Sequence, residues 1–445
     1  MEKLYNLINI ETDKKEMICL VGAGGKTSVM FRLAQELSSK GKKVLVTTTT
    51  AIFYPEKHLY DNILISEDES LNLFDRENSG YVTVFGKSLS PEGKILGANP
   101  RFLDTVFKEE LFDFILIEGD GSKKRPIKAP AEYEPVIPSC TAKVLGIIGL
   151  DSVGKKVCGE NVHRLEHFCD ILGCREGDVI DTEIVSKLIT HESGLFKAAP
   201  AIAERYLILN KAEIENTEAS AYDIVQKLSD KGCKIPAIIS STKDSSFRNA
   251  IKEISGIILA AGLSKRMGVD KLMLPIDGIP IIERVISAAS RSRLKEIVLV
   301  CGSDKTAAIG GKYGVRTVEN TETTLGQSYS VRLGLENSSQ SGHGFMFLAG
   351  DQPFINEKII NTLILNFSQN KCGAVVPLYN GSRGNPVIFD SSLRIRLMGL
   401  CGDSGGRVLL GEMGESVITV DFDDEKPGLD IDTREEYERL LRKEN

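Results

Sequence analysis

At 445 residues the chain exceeds what one ordinary hydrophobic core organises, and two or three domains are expected. Hydrophobic residues make up 42% and charged residues 26%, and no apolar run approaches the roughly 18 residues of a membrane span, so a soluble globular protein is expected. A net charge of −7 argues against a surface built to coat nucleic acid or an anionic membrane, yet is compatible with a local basic pocket for phosphate. The nine cysteines are scattered without a CxxC pair, and the polar start Met1-Glu-Lys has no signal-peptide core. Reduced thiols and a cytoplasmic protein are therefore expected.

In chain order, continuous apolar runs predict strands at residues 17–21, 43–46, 114–117, 143–148 and 206–209. A second series falls at 256–259, 296–300, 345–348 and 374–377. Runs without alternation suit parallel strands buried on both faces. Glycine-rich turns and helix-like stretches follow them, so the fold class is α/β with two doubly wound domains. The first is P-loop-like and the second Rossmann-like. The polar stretch 240–246 and a helix-like stretch 247–253 separate the series, which places the domains at 1–252 and 253–445.

The first strand runs into Gly22-Ala-Gly24-Gly25-Lys26-Thr27-Ser28. Glycines before a helix N-terminus present N–H groups to phosphate, Lys26 adds charge, and Thr27 offers a hydroxyl for Mg²⁺. The full phosphate-loop spacing would need glycine where Leu20 stands, so nucleotide binding and a plain glycine-rich turn are both open. The strand Phe114-Ile-Leu-Ile ends in Glu118-Gly-Asp120, two carboxylates where a metal-phosphate site wants them. Thr47-Thr-Thr-Thr50 offers hydroxyls to phosphate or is simply a β-branched strand end. Asn210-Lys211-Ala-Glu213 has the shape of a guanine-reading turn with Glu in place of Asp, or is polar surface. The run Lys123-Lys-Arg-Pro-Ile-Lys128 is either a solvated face or a lining for an anionic ligand. His163 and His167 would chelate metal only if both lay on one helix, and a packed or exposed pair is the commoner outcome.

In the second half, Leu259-Ala260-Ala261-Gly262-Leu-Ser264-Lys-Arg266-Met-Gly is followed by Asp270-Lys271. Small residues let the backbone approach a ligand, and Arg266 and Lys271 put positive charge beside it, as a triphosphate requires. The alternative is a tight strand–helix turn with solvated bases. Asp351, in Gly-Asp-Gln-Pro at a strand end, and Asp430, in Asp-Ile-Asp-Thr, are candidate Mg²⁺ ligands. The second cluster reads equally as an N-cap, with Asp432 or Thr433 capping and Glu435 in the first turn.

These motifs resemble the molybdenum cofactor nucleotidyltransferases, as do Asn320, Gly326-Gln-Ser328, Arg383-Gly384-Asn385-Pro and Gly402-Asp403-Ser-Gly-Gly-Arg407. The resemblance spans almost all of 254–443 and implies a nucleotidyltransferase (GT-A-like) fold. Its guanylyl branch usually reads Leu-Ala-Gly-Gly at the loop and its cytidylyl branch Leu-Ala-Ala-Gly, so Ala261 places this chain with the latter. The implied reaction transfers CMP from CTP to the phosphate of molybdenum-loaded molybdopterin. Arg266, Lys271 and Asp351 would be catalytic, with Mg²⁺ on Asp351 and Asp430. Leu259, Ala260, Ala261, Gly262, Ser264, Asn320, Gly326 and Ser328 would bind the nucleotide. Arg383, Gly384, Asn385, Gly402, Asp403 and Arg407 would face the pterin. Alternatives are transfer of GMP, transfer to another phosphate, or carriage of finished cofactor to a client.

The first half, through Gly22-Ala-Gly-Gly-Lys-Thr, Glu118-Gly-Asp-Gly-Ser122, Arg125-Pro-Ile-Lys-Ala-Pro130 and Asn161-Val-His-Arg164, resembles the YqeC-type accessory proteins linked to selenium-dependent molybdenum hydroxylases. The resemblance implies maturation of a hydroxylase: a client apo molybdenum hydroxylase, small-molecule substrates, and neither nucleic acid nor membrane as partner. With the loop, it gives a nucleotide-binding accessory domain for ATP or GTP built on Gly22, Gly24, Gly25, Lys26, Thr27, Glu118, Asp120, Asn210 and Lys211.

Overall fold

All nine apolar runs form strands in the computed structural model, which describes residues 2–74, 81–214, 217–241, 246–262, 269–402 and 405–443. The chain divides into two units, Met1–Ala250 and Ile251–Asn445. No helix among the described residues is long and apolar enough to cross a membrane.

The first unit holds strands β1 (Glu16–Gly22), β2 (Val44–Thr48), β3 (Asn62–Ile65), β4 (Val82–Gly86), β5 (Phe114–Glu118), β6 (Lys143–Gly149), β7 (Glu204–Asn210), β8 (Ala237–Ser241) and β9 (Ser246–Asn249). Their order across the sheet is β9-β8-β7-β6-β1-β5-β2-β4-β3. Every pairing is parallel except that of β9 with β8. Because β5 and β6 flank β1 on opposite sides, the chain crosses β1 between them and creates a topological switch point at its carboxyl end, the place where open α/β sheets bind ligands. There the chain enters helix α1 (Lys26–Ser38), whose Val29, Leu33 and Leu37, with Met30 and Ala34, form a stripe at helical spacing buried on the sheet.

Residues 247–253 were expected to be helical, and here the structure differs. Phe247 is 6% exposed and packs in the core, and β9 pairs antiparallel with β8, covering an otherwise open edge. The polar stretch begins inside β8, where Ser240 and Ser241 are buried. Both are too short for their sequence pattern to separate helix from edge strand.

The second unit holds β10 (Ile254–Ala260), β11 (Glu296–Cys301), β12 (Arg316–Glu319), β13 (Gly344–Ala349), β14 (Ala374–Tyr379), β15 (Ser382–Arg383), β16 (Val387–Asp390) and β17 (Val417–Phe422). The order is β12-β11-β10-β13-β16-β14-β15, with β17 beside β14. β10 is parallel to β11 and β13, but β16 is antiparallel to both β13 and β14. The sheet is therefore mixed: Asn380 (φ +49°) and Gly381 (φ +79°) turn the chain back as a hairpin rather than through a helix, and Arg383 already lies on the returning strand opposite Leu378. Ile258 and Ile257 point into separate core clusters, so both faces of β10 are covered. Helices α2 (Ile281–Arg291), α3 (Gln327–Glu336), α4 (Glu357–Gln369) and α5 (Arg434–Lys443) complete the layers used below.

Candidate functional sites

The carboxyl end of β1 carries a close-packed glycine loop. A Cβ on Gly24 (φ +90°) would fall 2.2 Å from the Gly149 N, and one on Gly25 (φ +128°) 2.2 Å from the Asn210 Nδ2, so both positions demand glycine. Lys26 is 3% exposed and its Nζ donates to the Gly22 carbonyl at 2.6 Å. It also lies 3.3 Å from Asp120 and 3.6 Å from Glu118. Burial alone would lower the Lys26 ammonium, but Asp120 and Glu118 together raise it. Burial raises Glu118 against the pull of Lys26, while the Thr27 hydroxyl donates to its Oε2 at 2.7 Å. Asp120 accepts from the Gly22 N–H through both oxygens (3.1 and 3.2 Å).

A buried ionic chain continues from there. Lys128, 1% exposed, pairs with Asp120 at 3.0 Å and Glu134 at 2.7 Å, and Arg164 forks onto Glu134 with two 3.1 Å bonds. Burial pushes Glu134 up, but Arg164 and Lys128 outweigh it and hold the carboxyl at about 2. Neither Glu134 nor the buried state of Lys128 was visible in the sequence, because the partners meet only through the fold.

The predicted residues Gly22, Gly24, Gly25, Lys26, Thr27, Glu118, Asp120 and Asn210 thus surround one loop. Asn210 donates to the Gly24 carbonyl at 2.8 Å and accepts from Ser240 at 2.8 Å, so its amide braces the loop. Lys211 pairs with Asp151 at 2.9 Å. The Thr47, Thr48 and Thr49 hydroxyls are bonded to the carbonyls of Phe85, Glu118 and Val136, which makes them strand-end braces. His163 precedes the helix Leu165–Leu172 that holds His167, so the pair does not share a helix. Burial, then Lys128 and Arg164, lower His163 to about 4.

In the second unit, Lys271 stands between two carboxylates, 2.6 Å from Asp351 Oδ2 and 2.8 Å from Asp432 Oδ1. Burial lowers its ammonium, and Asp351 with Asp432 raises it overall. The Gly350 N–H donates to the Leu259 carbonyl at 3.0 Å, so Asp351 follows a turn pinned to the end of β10, where Ala260 and Ala261 are buried. Asp430 is raised by burial first and by Asp351 next, against a hydrogen bond from Gln352. Gln352, 2% exposed, also donates to the Gly428 carbonyl at 3.3 Å. Thr433 caps α5 through its Oγ to the Glu436 N–H (3.2 Å), and Glu436 reaches back to the Thr433 N–H (2.8 Å), a capping box. Glu435 lies in the first turn as expected, Glu436 beside it makes the capping contact, and Asp432 meets Lys271.

Asn320, 3% exposed, donates to Ser330 at 2.9 Å and accepts from the Glu322 N–H at 2.9 Å, so its side chain is engaged within the protein. Gly326 (φ +84°) opens α3. The Ser328 N–H donates to the Gly402 carbonyl at 3.1 Å, while its buried Oγ has no hydrogen-bond partner among the described residues. The elements expected on the nucleotide side and on the pterin side therefore meet at Ser328 and Gly402. Arg383 and Arg407 are exposed. Tyr379 is a further residue that pattern reading missed. Its ring lies so close to Gly384 and Gly428 that a Cβ there would sit 2.6 and 2.4 Å away, and its hydroxyl donates to the Asn385 carbonyl at 2.8 Å. It ties the Arg383–Asn385 segment to the segment leading to Asp430. Ser264, Arg266 and Asp403 lie outside the described residues.

Family models match the chain twice: a YqeC protein family at residues 18–166 and a MobA-like NTP transferase domain at 256–417. YqeC of Escherichia coli is 35% identical over 213 residues, covering 48% of this chain and 82% of that protein. The purine catabolism protein PucB of Bacillus subtilis is 30% identical over 199 residues, 42% of this chain and 95% of its own length. The chain belongs to the YqeC family in its first half and to the MobA-like NTP transferases in its second. The molybdenum cofactor cytidylyltransferase of Escherichia coli is similar to the MobA-like half at 27% identity over 186 residues, 41% of this chain and 93% of that enzyme. Guanylyltransferases of the same cofactor are relatives too. The MobA-like half is thus of a nucleotidyltransferase family with both cofactor transferases as relatives, on a mixed α/β fold.

Proposed function

We propose that the MobA-like half is a molybdenum cofactor cytidylyltransferase. An oxygen of the molybdopterin phosphate attacks the α-phosphorus of CTP, the bond to the leaving pyrophosphate breaks, and a phosphoanhydride forms. The observation that carries this reading is Lys271 shared between Asp351 and Asp432, with Asp351 following the Gly350 N–H that bonds the Leu259 carbonyl near the end of β10. A phosphate monoester already carries about 1.5 to 2 negative charges at pH 7, so the protein need supply no general base. Its work is to align two anions and neutralise them. Lys271, with Arg266, would take the phosphates.

The donor chemistry near Lys271 fits Mg²⁺: Asp351, Asp430 and Asp432 are hard oxygen ligands, and Asp430 is raised partly because Asp351 crowds it. Among the described residues the carboxylates are not gathered round one metal position while Lys271 stands between them. Asp351 and Asp430 would hold the ion, which when bound supplies charge neutralisation on the phosphates. The buried Ala261 methyl favours the smaller cytosine over a purine. The guanylyltransferase relatives favour GMP transfer as the second reading.

The YqeC half, in this reading, binds ATP or GTP at its glycine loop and serves maturation of an apo molybdenum hydroxylase. The experiment is pyrophosphate release by the full chain with Mg²⁺, one NTP at a time, with and without molybdenum-loaded molybdopterin. Release that depends on molybdopterin supports the assignment. Release that proceeds equally with a sugar phosphate in its place, or never occurs with molybdopterin, overturns it.

A further inference from the structure

We infer that the loop 121–126 of the YqeC half is a second phosphate-binding element facing the glycine loop. The inference deepens the nucleotide reading of that sheet edge and rests on it only for the arm that uses NTP. The loop is pinned at both ends by buried groups. Lys128 Nζ donates to the Gly121 carbonyl at 2.8 Å, and the Gly149 N–H donates to the Pro126 carbonyl at 3.0 Å. The same Pro126 oxygen would lie 2.9 Å from a Cβ on Gly24, so the loop packs directly on the glycine loop.

Between the pins stand Lys123, Lys124 and Arg125. Among the described residues none of the three has a carboxylate within ion-pairing distance. The neighbouring carboxylates are already taken: Glu118 and Asp120 by Lys26, Asp120 and Glu134 by Lys128, and Asp151 by Lys211. Lys123 (φ +47°) and Lys124 (φ +61°) are consecutive left-handed residues, a conformation costing side-chain-bearing residues on the order of 1 kcal/mol or more. Lys124 is held over the ring of Phe53 at 4.5 Å and Lys94 over the same ring at 5.1 Å, which fixes further charge at this edge. Three cations without a carboxylate partner among the described residues, on a strained, pinned loop in a chain of net charge −7, select an anion. Contact with the positive-φ glycine loop makes phosphate the fitting class. That phosphate is either the terminal group of the nucleotide at the glycine loop or a separate phosphate monoester.

Hydrogen–deuterium exchange of the full chain tests this, read at peptides spanning 119–128 and 20–30. Protection of 121–126 by ATP or GTP alone assigns the loop to the nucleotide's own phosphate. Protection by inorganic phosphate alone assigns it to a separate ligand. In either arm, K123N with K124N, which keeps a residue tolerant of the left-handed region, should raise half-saturation on the order of tenfold and leave exchange elsewhere unchanged. Protection of 20–30 with none at 121–126, or protection that the double substitution does not weaken, overturns the inference and spares the nucleotide reading. Absence of protection at 20–30 with any NTP overturns the nucleotide reading itself.

Discussion

Lys26 and Lys271 each stand between two carboxylates, but one is locked and the other open. Lys26 has 2% of its side chain exposed, against partners at 7% and 2%. Lys271 has 12%, against partners at 23% and 47%. In low dielectric a buried pair resists exchange, whereas a half-open pair gives way to a competing phosphate. The YqeC half has put its charges into a rigid chain that shapes a loop. The MobA-like half has left its charges partly exposed, where, under the proposed function, a metal–phosphate ligand would rearrange them.

The largest effect should come from cutting the locked chain. Lys128→Met leaves Asp120 and Glu134 without a cation between them, and is expected to destabilise the YqeC half by about 3–5 kcal/mol. Urea unfolding should show that transition shifted alone; Lys271→Met should move stability by about 1 kcal/mol or less. Equal shifts would erase the contrast. Next, Asp351→Asn should lower kcat for pyrophosphate release on the order of a hundredfold with the fold intact by circular dichroism. Near-normal turnover would remove Asp351 from the site. A smaller effect follows from pH. Glu134 is held at about 2 in the folded state against an ordinary 4.5, so its stabilisation is complete above pH 4.5 and lost as pH falls toward 2. Wild type should therefore lose stability through that window more steeply than Glu134→Gln, measured by thermal melts. Smallest, Tyr379→Phe removes one hydrogen bond, worth about 1 kcal/mol, and should raise KM for the pterin acceptor several-fold while leaving KM for NTP unchanged. A parallel rise in both would make Tyr379 merely structural.

The contrast also explains what the sequence disclosed. Both glycine or alanine loops follow apolar runs with no alternation, a pattern that betrays buried parallel strands, and the strands are where it put them. The N-cap at Thr433 and Glu435 in the first turn of α5 were legible in the sequence, whereas the return contact from Glu436 emerges only in the structure. Strand β9 was not legible, since four residues on an edge look alike in helix and strand, and β16 was hidden inside a motif read for its chemistry. Least legible were the ion pairs. Lys128 sits in a basic run that reads as solvated surface or as a lining for an anionic ligand, and only the convergence of Asp120 and Glu134 buries it. Of the two capping candidates, Asp432 and Thr433, the structure uses Thr433, and Asp432 pairs with Lys271.

The most direct test of the central claim is a competition between equal concentrations of the four NTPs with the full chain, Mg²⁺ and molybdenum-loaded molybdopterin, products resolved by mass spectrometry. The account predicts that molybdopterin cytosine dinucleotide is the dominant product and that it disappears with Asp351→Asn. Guanine dinucleotide in equal or greater amount would contradict it.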